Sequence, residues 1–474
     1  MTLIETAPGP APAVPASAGT RMTSRHKLIL TLLLGAQFML AIDFSILNVA
    51  MPVVGEGLGF GLGGLQWIAT AFALPAAGFT LLFGRVADLF GRRRMLLAGM
   101  ALLALGSLLG GLATSPAVLL AGRVMQGLAT AMATPAALSL LTTSFPEGRL
   151  RTRALGLSGA LMSAGFTVGA VLGGVLTDLL SWRWAFLVNV PVAVLILVVT
   201  PVLVGESRAA RRGRLDVPGA VTVTGGLLAL VYGITAAGER GWGSPLALGT
   251  LAAAVALLVA FVLVERRAPA PLAPLRVLTK RTVTWGNIGG LVAFATETSL
   301  VFLMTLYLQQ VLGFSPLTTG LALGVLGAGT FAGGVAAPRI MARAGGRWTL
   351  AGGLVLQAAA TAALLGLGES RGGLGLMLAA TAIGGFGNLV AIVAFMGTAT
   401  SGLPDGEQGL ATGLATMTQQ VAITVGIPVM SAVATARAGV LDGIHTATLV
   451  NAGLALAGAA LIAVFLRAPR SGRS

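Results

Sequence analysis

The chain has 474 residues, of which 56% are hydrophobic and 9% charged, a balance that no water-facing surface tolerates and that excludes a soluble globular domain. Cysteine is absent, which removes disulfides, thiolate catalysis and cysteine metal sites, and the two histidines, His26 and His445, fall outside the apolar runs. The net charge of +15 is compatible with nucleic acid until its distribution along the chain is read.

Residues 1–27 are rich in Ala and Pro at their start and lack an apolar core, so a disordered cytoplasmic tail without a cleavable signal peptide is expected. Runs of about 20 apolar residues can cross a bilayer core about 30 Å thick. Fourteen follow, near residues 28–50, 65–84, 95–113, 117–141, 154–177, 184–204, 217–237, 245–264, 282–309, 316–338, 348–367, 373–398, 409–434 and 446–466. With a cytoplasmic N-terminus, twenty-five of the thirty basic residues fall on the cytoplasmic side. Arg183, Arg240, Arg371 and Arg437 fall on the other, and Arg123 lies within a span. That asymmetry obeys the positive-inside rule and puts both termini in the cytoplasm. The basic charge is thus a topology signal for contact with membrane lipids, and no nucleic-acid partner is expected. The longest hydrophilic stretches, 205–216 and 265–281, are too short for a soluble domain.

The fold class expected is an all-α polytopic membrane protein. Its parts are a six-helix bundle at 28–204, two inserted transmembrane helices with basic flanks at 205–281, a second six-helix bundle at 282–466 and a tail at 467–474. Duplicated six-helix units recur in transporters, with the substrate site at midplane between the halves.

Two carboxylates interrupt the apolar runs, Asp43 in the first and Glu297 in the ninth, and each stands sixteen residues after a basic residue, Lys27 or Arg281. An ionisable group at such depth costs on the order of 3 kcal/mol and is read by default as functional. At a rise of about 1.5 Å per residue, Asp43 lies about 22 Å into its span and Arg123 about 9 Å into span four from the opposite side. The two are therefore at comparable depth, and they are expected to interact, directly or through water, when Asp43 is ionised. Changing their separation would load and release a proton. Glu297 sits among Thr296, Thr298 and Ser299, which could hydrogen-bond it, and beside Phe294, Phe302 and Tyr307, which could line a greasy pocket suited to lipophilic cations. It is read either as a second proton or substrate group or as a polar helix contact.

Motifs sharpen this. The loop after span two reads Gly84-Arg85-Val86-Ala87-Asp88-Leu89-Phe90-Gly91-Arg92-Arg93-Arg94. It resembles the signature loop of the major facilitator superfamily, where it latches the two halves on the cytoplasmic side. Asp43-Phe44-Ser45-Ile46-Leu47-Asn48 in span one, Arg123-Val124-Met125-Gln126-Gly127 in span four and Trp182-Arg183-Trp184-Ala185-Phe186-Leu187-Val188-Asn189-Val190-Pro191 before span six resemble motifs of its fourteen-span drug:proton antiporters. Span five carries Gly156, Gly165, Gly169, Gly173 and Gly174, similar to the antiporter motif helix. The three glycines four residues apart share one face and let another helix approach closely. Ala170 stands where the family usually has Pro, so a kink there is not guaranteed.

The resemblance implies a major facilitator fold with fourteen spans in a bacterial plasma membrane. It also implies proton-coupled efflux of lipophilic or amphipathic small molecules such as drugs or antibiotics. Weaker pocket candidates are Gln37, Phe38, Met39, Trp67, Trp285, Asn287, Asn388, Phe395, Met396, Gln419 and Gln420; Gln419 stands where related exporters often carry Arg. No nucleotide loop is present, so an ion gradient or the substrate's own gradient supplies the energy. No cofactor or metal is expected, nor any enzyme activity, and a monomer is expected because one chain holds both halves of its pathway. The competing reading is a proton symporter or uniporter of a small metabolite on the same fold.

Overall fold

A computed structural model describes residues 22–60, 64–145, 149–208, 216–268, 275–401 and 405–466, and among them the regular structure is all helical, with no strand. The first half comprises α1 (Ser24–Leu58), α2 (Leu65–Phe90), α3 (Arg92–Gly111), α4 (Pro116–Ser144), α5 (Arg149–Leu179), the short α6 (Trp184–Leu187) and α7 (Asn189–Leu203). The inserted pair is α8 (Val217–Arg240) and α9 (Pro245–Arg267). After the single turn α10 (Leu275–Leu278), the second half is α11 (Arg281–Leu306), α12 (Pro316–Ala363), α13 (Leu374–Ala399), α14 (Asp405–Thr435) and α15 (Val440–Phe465). The tails at 1–21 and 467–474 lie outside the described residues.

Starts and stops follow local chemistry. Thr23 accepts from the His26 amide at the head of α1, Gly59 ends that helix at φ 75°, and Asp216 accepts from the Gly219 amide at the head of α8. Among the described residues twelve helical stretches are long and apolar enough to cross a membrane, against the fourteen runs expected. The difference lies in two elements. Pro316–Gly366 counts as one stretch of 51 residues although Gly345 bends it out of helical geometry (φ 76°, ψ 160°). The other is α5, 31 residues long, in which the apolar stretch among the described residues is Ala164–Leu179. Large apolar side chains such as Phe331, Val202 and Leu112 face outward, a belt that only hydrocarbon satisfies.

The duplication is visible in the turns. Gly91 (φ 127°), between α2 and α3, and Gly345 stand as far apart in the chain as Asp43 and Glu297 do. Each glycine precedes an arginine that ties the third helix of its half to the end of the sixth. The Arg93 guanidinium donates to the Val204 carbonyl at 3.1 Å, and that of Arg347 donates to the Ala463 carbonyl.

Candidate functional site: a central cavity beside a buried charge network

Between the halves lies a cavity of about 980 Å³, shaped by α1, α5, α11, α12, α13 and α14. Its apolar side chains include Phe44, Met162, Phe166, Phe294, Ile392 and Met396; its polar ones include Ser45, Asn48, Thr298, Gln419 and Glu297. A smaller chamber of about 500 Å³ adjoins it on the side of the N-terminal, arginine-rich end, lined by Gln37, Thr130, Thr134 and Gln420 and sharing Phe44, Phe166 and Gln419. Phe44 and Phe166 meet edge to face at 5.7 Å between the two chambers.

Glu297 is half-buried and turned into the larger chamber, with no hydrogen bond or ion pair to another described residue. The expectation that its hydroxyl neighbours bind it is corrected here. Thr296, Thr298 and Ser299 donate to the carbonyls of Val292, Phe294 and Ala295, one turn back on the same helix. No lysine or arginine lines either chamber.

Asp43 does not face the cavity. It is wholly buried inside the first bundle with Arg123, Gln126, Ser107 and Asn189, contributed by α1, α3, α4 and α7. Its Oδ1 accepts from Gln126 Nε2 at 2.8 Å and from Asn189 Nδ2. Arg123 Nη1 stands 3.8 Å from Asp43 Oδ2 and donates to Gln126 Oε1 at 2.9 Å. Its Nε donates to the Ile68 carbonyl at 3.0 Å, and its guanidinium lies 4.3 Å from the centre of the Phe72 ring. Ser107 Oγ accepts from both amides. Asp43 Oδ2 has no hydrogen bond, so Arg123 is its one close charge partner. Sequence reasoning paired Asp43 with Arg123 but missed Ser107 and Asn189 as members. The available signal was an asparagine at the head of an apolar span, a residue that must find partners in lipid.

The second half repeats the arrangement without charge. Gln357 Nε2 donates to Thr296 Oγ1 at 2.9 Å, Asn388 Nδ2 to the Ala293 carbonyl at 2.9 Å and to Gln357 Oε1 at 3.3 Å, and Asn451 Nδ2 to Ser299 Oγ at 2.8 Å. These residues come from the first, third, fourth and sixth long helices of that half, as Asp43, Ser107, Gln126 and Asn189 do in the other. Asn388 therefore belongs to this network and not to the cavity.

Of the remaining pocket candidates, Gln37, Phe294, Met396, Gln419 and Gln420 line the chambers. The others point elsewhere. Phe38 packs beside Gly165, and Met39, Phe302 and Phe395 sit in the core. Trp67 meets Tyr232 of the inserted α8, Trp285 stacks on Phe465 at 4.6 Å, and Tyr307 donates to the Gly368 carbonyl. Asn287 accepts from Thr418. Large side chains on helices buried on nearly all sides carry no amphipathic phase that marks the cavity face.

The family model described as Major Facilitator Superfamily matches residues 33–427, with a second match over 287–474. The chain belongs to the major facilitator superfamily. Among its relatives is a cephamycin export protein of Amycolatopsis lactamdurans, 44% identical over 64% of this chain and 63% of that one, a match to just under two thirds of the relative. A puromycin resistance protein of Streptomyces alboniger is 39% identical over 86% of this chain and 81% of its own length. These relatives put this major facilitator in the drug-exporter branch. A solved POT family transporter, crystallised with a thioalcohol conjugated peptide, shares the fold with a TM-score of 0.68 at 14% identity, over 92% of this chain and 96% of that one.

In this major facilitator the signature loop is tied within its own half. Asp88 accepts from Arg92 at 2.9 Å, and Glu206, beyond α7, accepts from the Arg93 and Arg94 amides and so caps α3. Among the described residues Asp88 pairs with Arg92, one turn along the same loop. Gly84 packs against Pro135, and a Cβ on Gly91 would meet the Glu206 carboxylate at 2.7 Å. Gly127 brings α4 against the α2 backbone at Phe72.

On α5, Gly165, Gly169 and Gly173 face α1, where added Cβ atoms would lie 2.8, 2.8 and 2.2 Å from Ala41, Ser45 and Ile46. Gly174 instead faces the Pro316 carbonyl of α12, and Gly327 of α12 receives Thr167. Hence α5 is smooth toward its own half on one face and toward the other half on the next. Hydrogen bonds from Gln309 to the Val49 carbonyl at 2.9 Å and from Ser315 to Asp178 at 3.3 Å also join the halves at the end away from the N-terminus.

Proposed function

We propose that this protein exports lipophilic or amphipathic small molecules, antibiotics among them, across a bacterial plasma membrane in exchange for protons, with both termini cytoplasmic. The observation that carries the reading is the separation of two sites in one bundle system. An apolar chamber with a single unpaired carboxylate suits the cargo, and a sealed Asp43–Arg123 network one helix away suits the proton. A proton arriving at Asp43 discharges the ion pair and frees Arg123 from its charge partner. The packing of α4 on α1 then changes, and α5, which rides on α1 through bare glycine contacts, carries that change to the α5–α12 closure. The coupling is a difference in the stability of two conformations, and no covalent step is needed.

The names of the relatives support antibiotic export, and the charge of the cavity narrows the cargo. Glu297 without a basic neighbour favours a cationic amine or a neutral molecule over a carboxylate. In proteoliposomes, Glu297→Gln is expected to lower transport of lipophilic cations about tenfold, a loss of roughly 1.4 kcal/mol of recognition. Neutral probes should be little affected. Equal loss for both probe classes would make Glu297 part of the gating machinery instead.

A further inference from the structure

The inserted helix α8 covers the outward face of α2. Thr224 donates to the Gly78 carbonyl at 2.6 Å, Leu228 packs on Gly78, and Val223 and Leu227 belong to the cluster that covers Leu81. Gly78, Leu81 and Arg85 stand in the first half where Ala332, Val335 and Arg339 stand in the second, at the chain separation that relates Gly91 to Gly345. Among the described residues no helix covers the second-half face. It forms a shallow groove along α12, with Phe331 and Val335 72% and 54% exposed at one end and Arg339 and Arg343 at the other. Ala332 and Ala336 leave room between them. Both arginines are exposed and make no ion pair or hydrogen bond with a described residue.

We propose that this groove binds one anionic phospholipid, with an acyl chain along Phe331, Ala332, Val335 and Ala336 and the phosphate between Arg339 and Arg343. The dimensions fit: the helical rise from Phe331 to Arg343 is about 18 Å, close to one leaflet plus the headgroup boundary. Two arginines one turn apart at the basic end supply the charge, and a guanidinium pairs a phosphate with two donors. Where the first half presents a protein helix, the second presents a lipid of matching width. The inference is independent of what the protein carries.

Native mass spectrometry of the purified full chain, offered phosphatidylglycerol and phosphatidylcholine of equal chain length, tests it. Each arginine should favour the anionic lipid about fivefold, giving a preference of roughly twenty-five-fold for one retained phosphatidylglycerol. Arg339→Gln with Arg343→Gln should bring the ratio near unity, whereas Arg266→Gln with Arg267→Gln, at the end of α9, should leave it unchanged. Ala332→Trp should reduce retention of both lipids, and glycerophosphoglycerol without acyl chains should not compete. Equal retention of the two lipids by the parent, or a preference that survives the double substitution at 339 and 343, overturns the site. So does a doubled mass abolished by that double substitution, which would assign the groove to a second copy of the chain.

Discussion

Asp43 and Arg123 are each tolerable inside the bundle because the other is there. Replacing Arg123 with Ala leaves a buried carboxylate without its charge partner, and a loss of about 3 kcal/mol is expected. Asp43→Asn keeps the shape and an acceptor for the Gln126 and Asn189 amides but leaves Arg123 with Gln126 and the Ile68 carbonyl, so a smaller loss is expected. Thermal unfolding followed by tryptophan fluorescence compares them. The two carboxylates were legible in the sequence because their cost in an apolar run is paid whatever their surroundings. Their roles in space were not: α1 is buried on nearly all sides from Ile29 to Gly55, so nothing in its pattern says that Asp43 turns into the bundle while Phe44 and Ser45 turn to the cavity. Glu297 shows the reverse, since its polar neighbours in sequence are spent on their own helix.

At the scale of elements, the glycines of α5 divide by what they touch. A Cβ at Gly173 would lie 2.2 Å from the Ile46 carbonyl oxygen. Gly173→Ala is therefore expected to cost about 1–3 kcal/mol through displacement of α1 and to reduce efflux. Gly35→Ala, where nothing lies within 4 Å, should be neutral or stabilising by up to about 1 kcal/mol from helix propensity. Circular dichroism melts of the two variants separate close approach from generic small-residue composition. The four-residue spacing made the shared face readable from sequence; that α1 is what the face meets, and that Gly174 belongs to the α12 contact instead, depends on tertiary placement. The same limit applies to Gly91 and Gly345. Both occupy backbone that favours glycine, yet the first separates two helices and the second leaves one stretch bent.

The whole molecule is a duplicated bundle in which one copy keeps its polar core charged and the other neutral. Under the proposed coupling, the charged copy is the one that handles the proton. Closure at the end away from the N-terminus rests on α5 against α12, so under the proposed function this contact must open for cargo to leave. In the cysteine-free chain, Thr167→Cys with Gly327→Cys sets two Cβ atoms 2.6 Å apart, so a disulfide between them forms once the helices part by about 1 Å. Efflux by that variant should stop on oxidation and return on reduction; undiminished efflux by the fully cross-linked form would place the moving contact elsewhere.

The claim that joins these scales is that Asp43 couples cargo to protons. It is tested most directly in inverted membrane vesicles under an imposed pH gradient, comparing the parent with Asp43→Asn on one lipophilic cation. The account predicts gradient-driven accumulation by the parent and, for Asp43→Asn, exchange of labelled for unlabelled cargo without accumulation. Accumulation by Asp43→Asn at the parental level would contradict it and make the Asp43–Arg123 pair a structural element of the bundle.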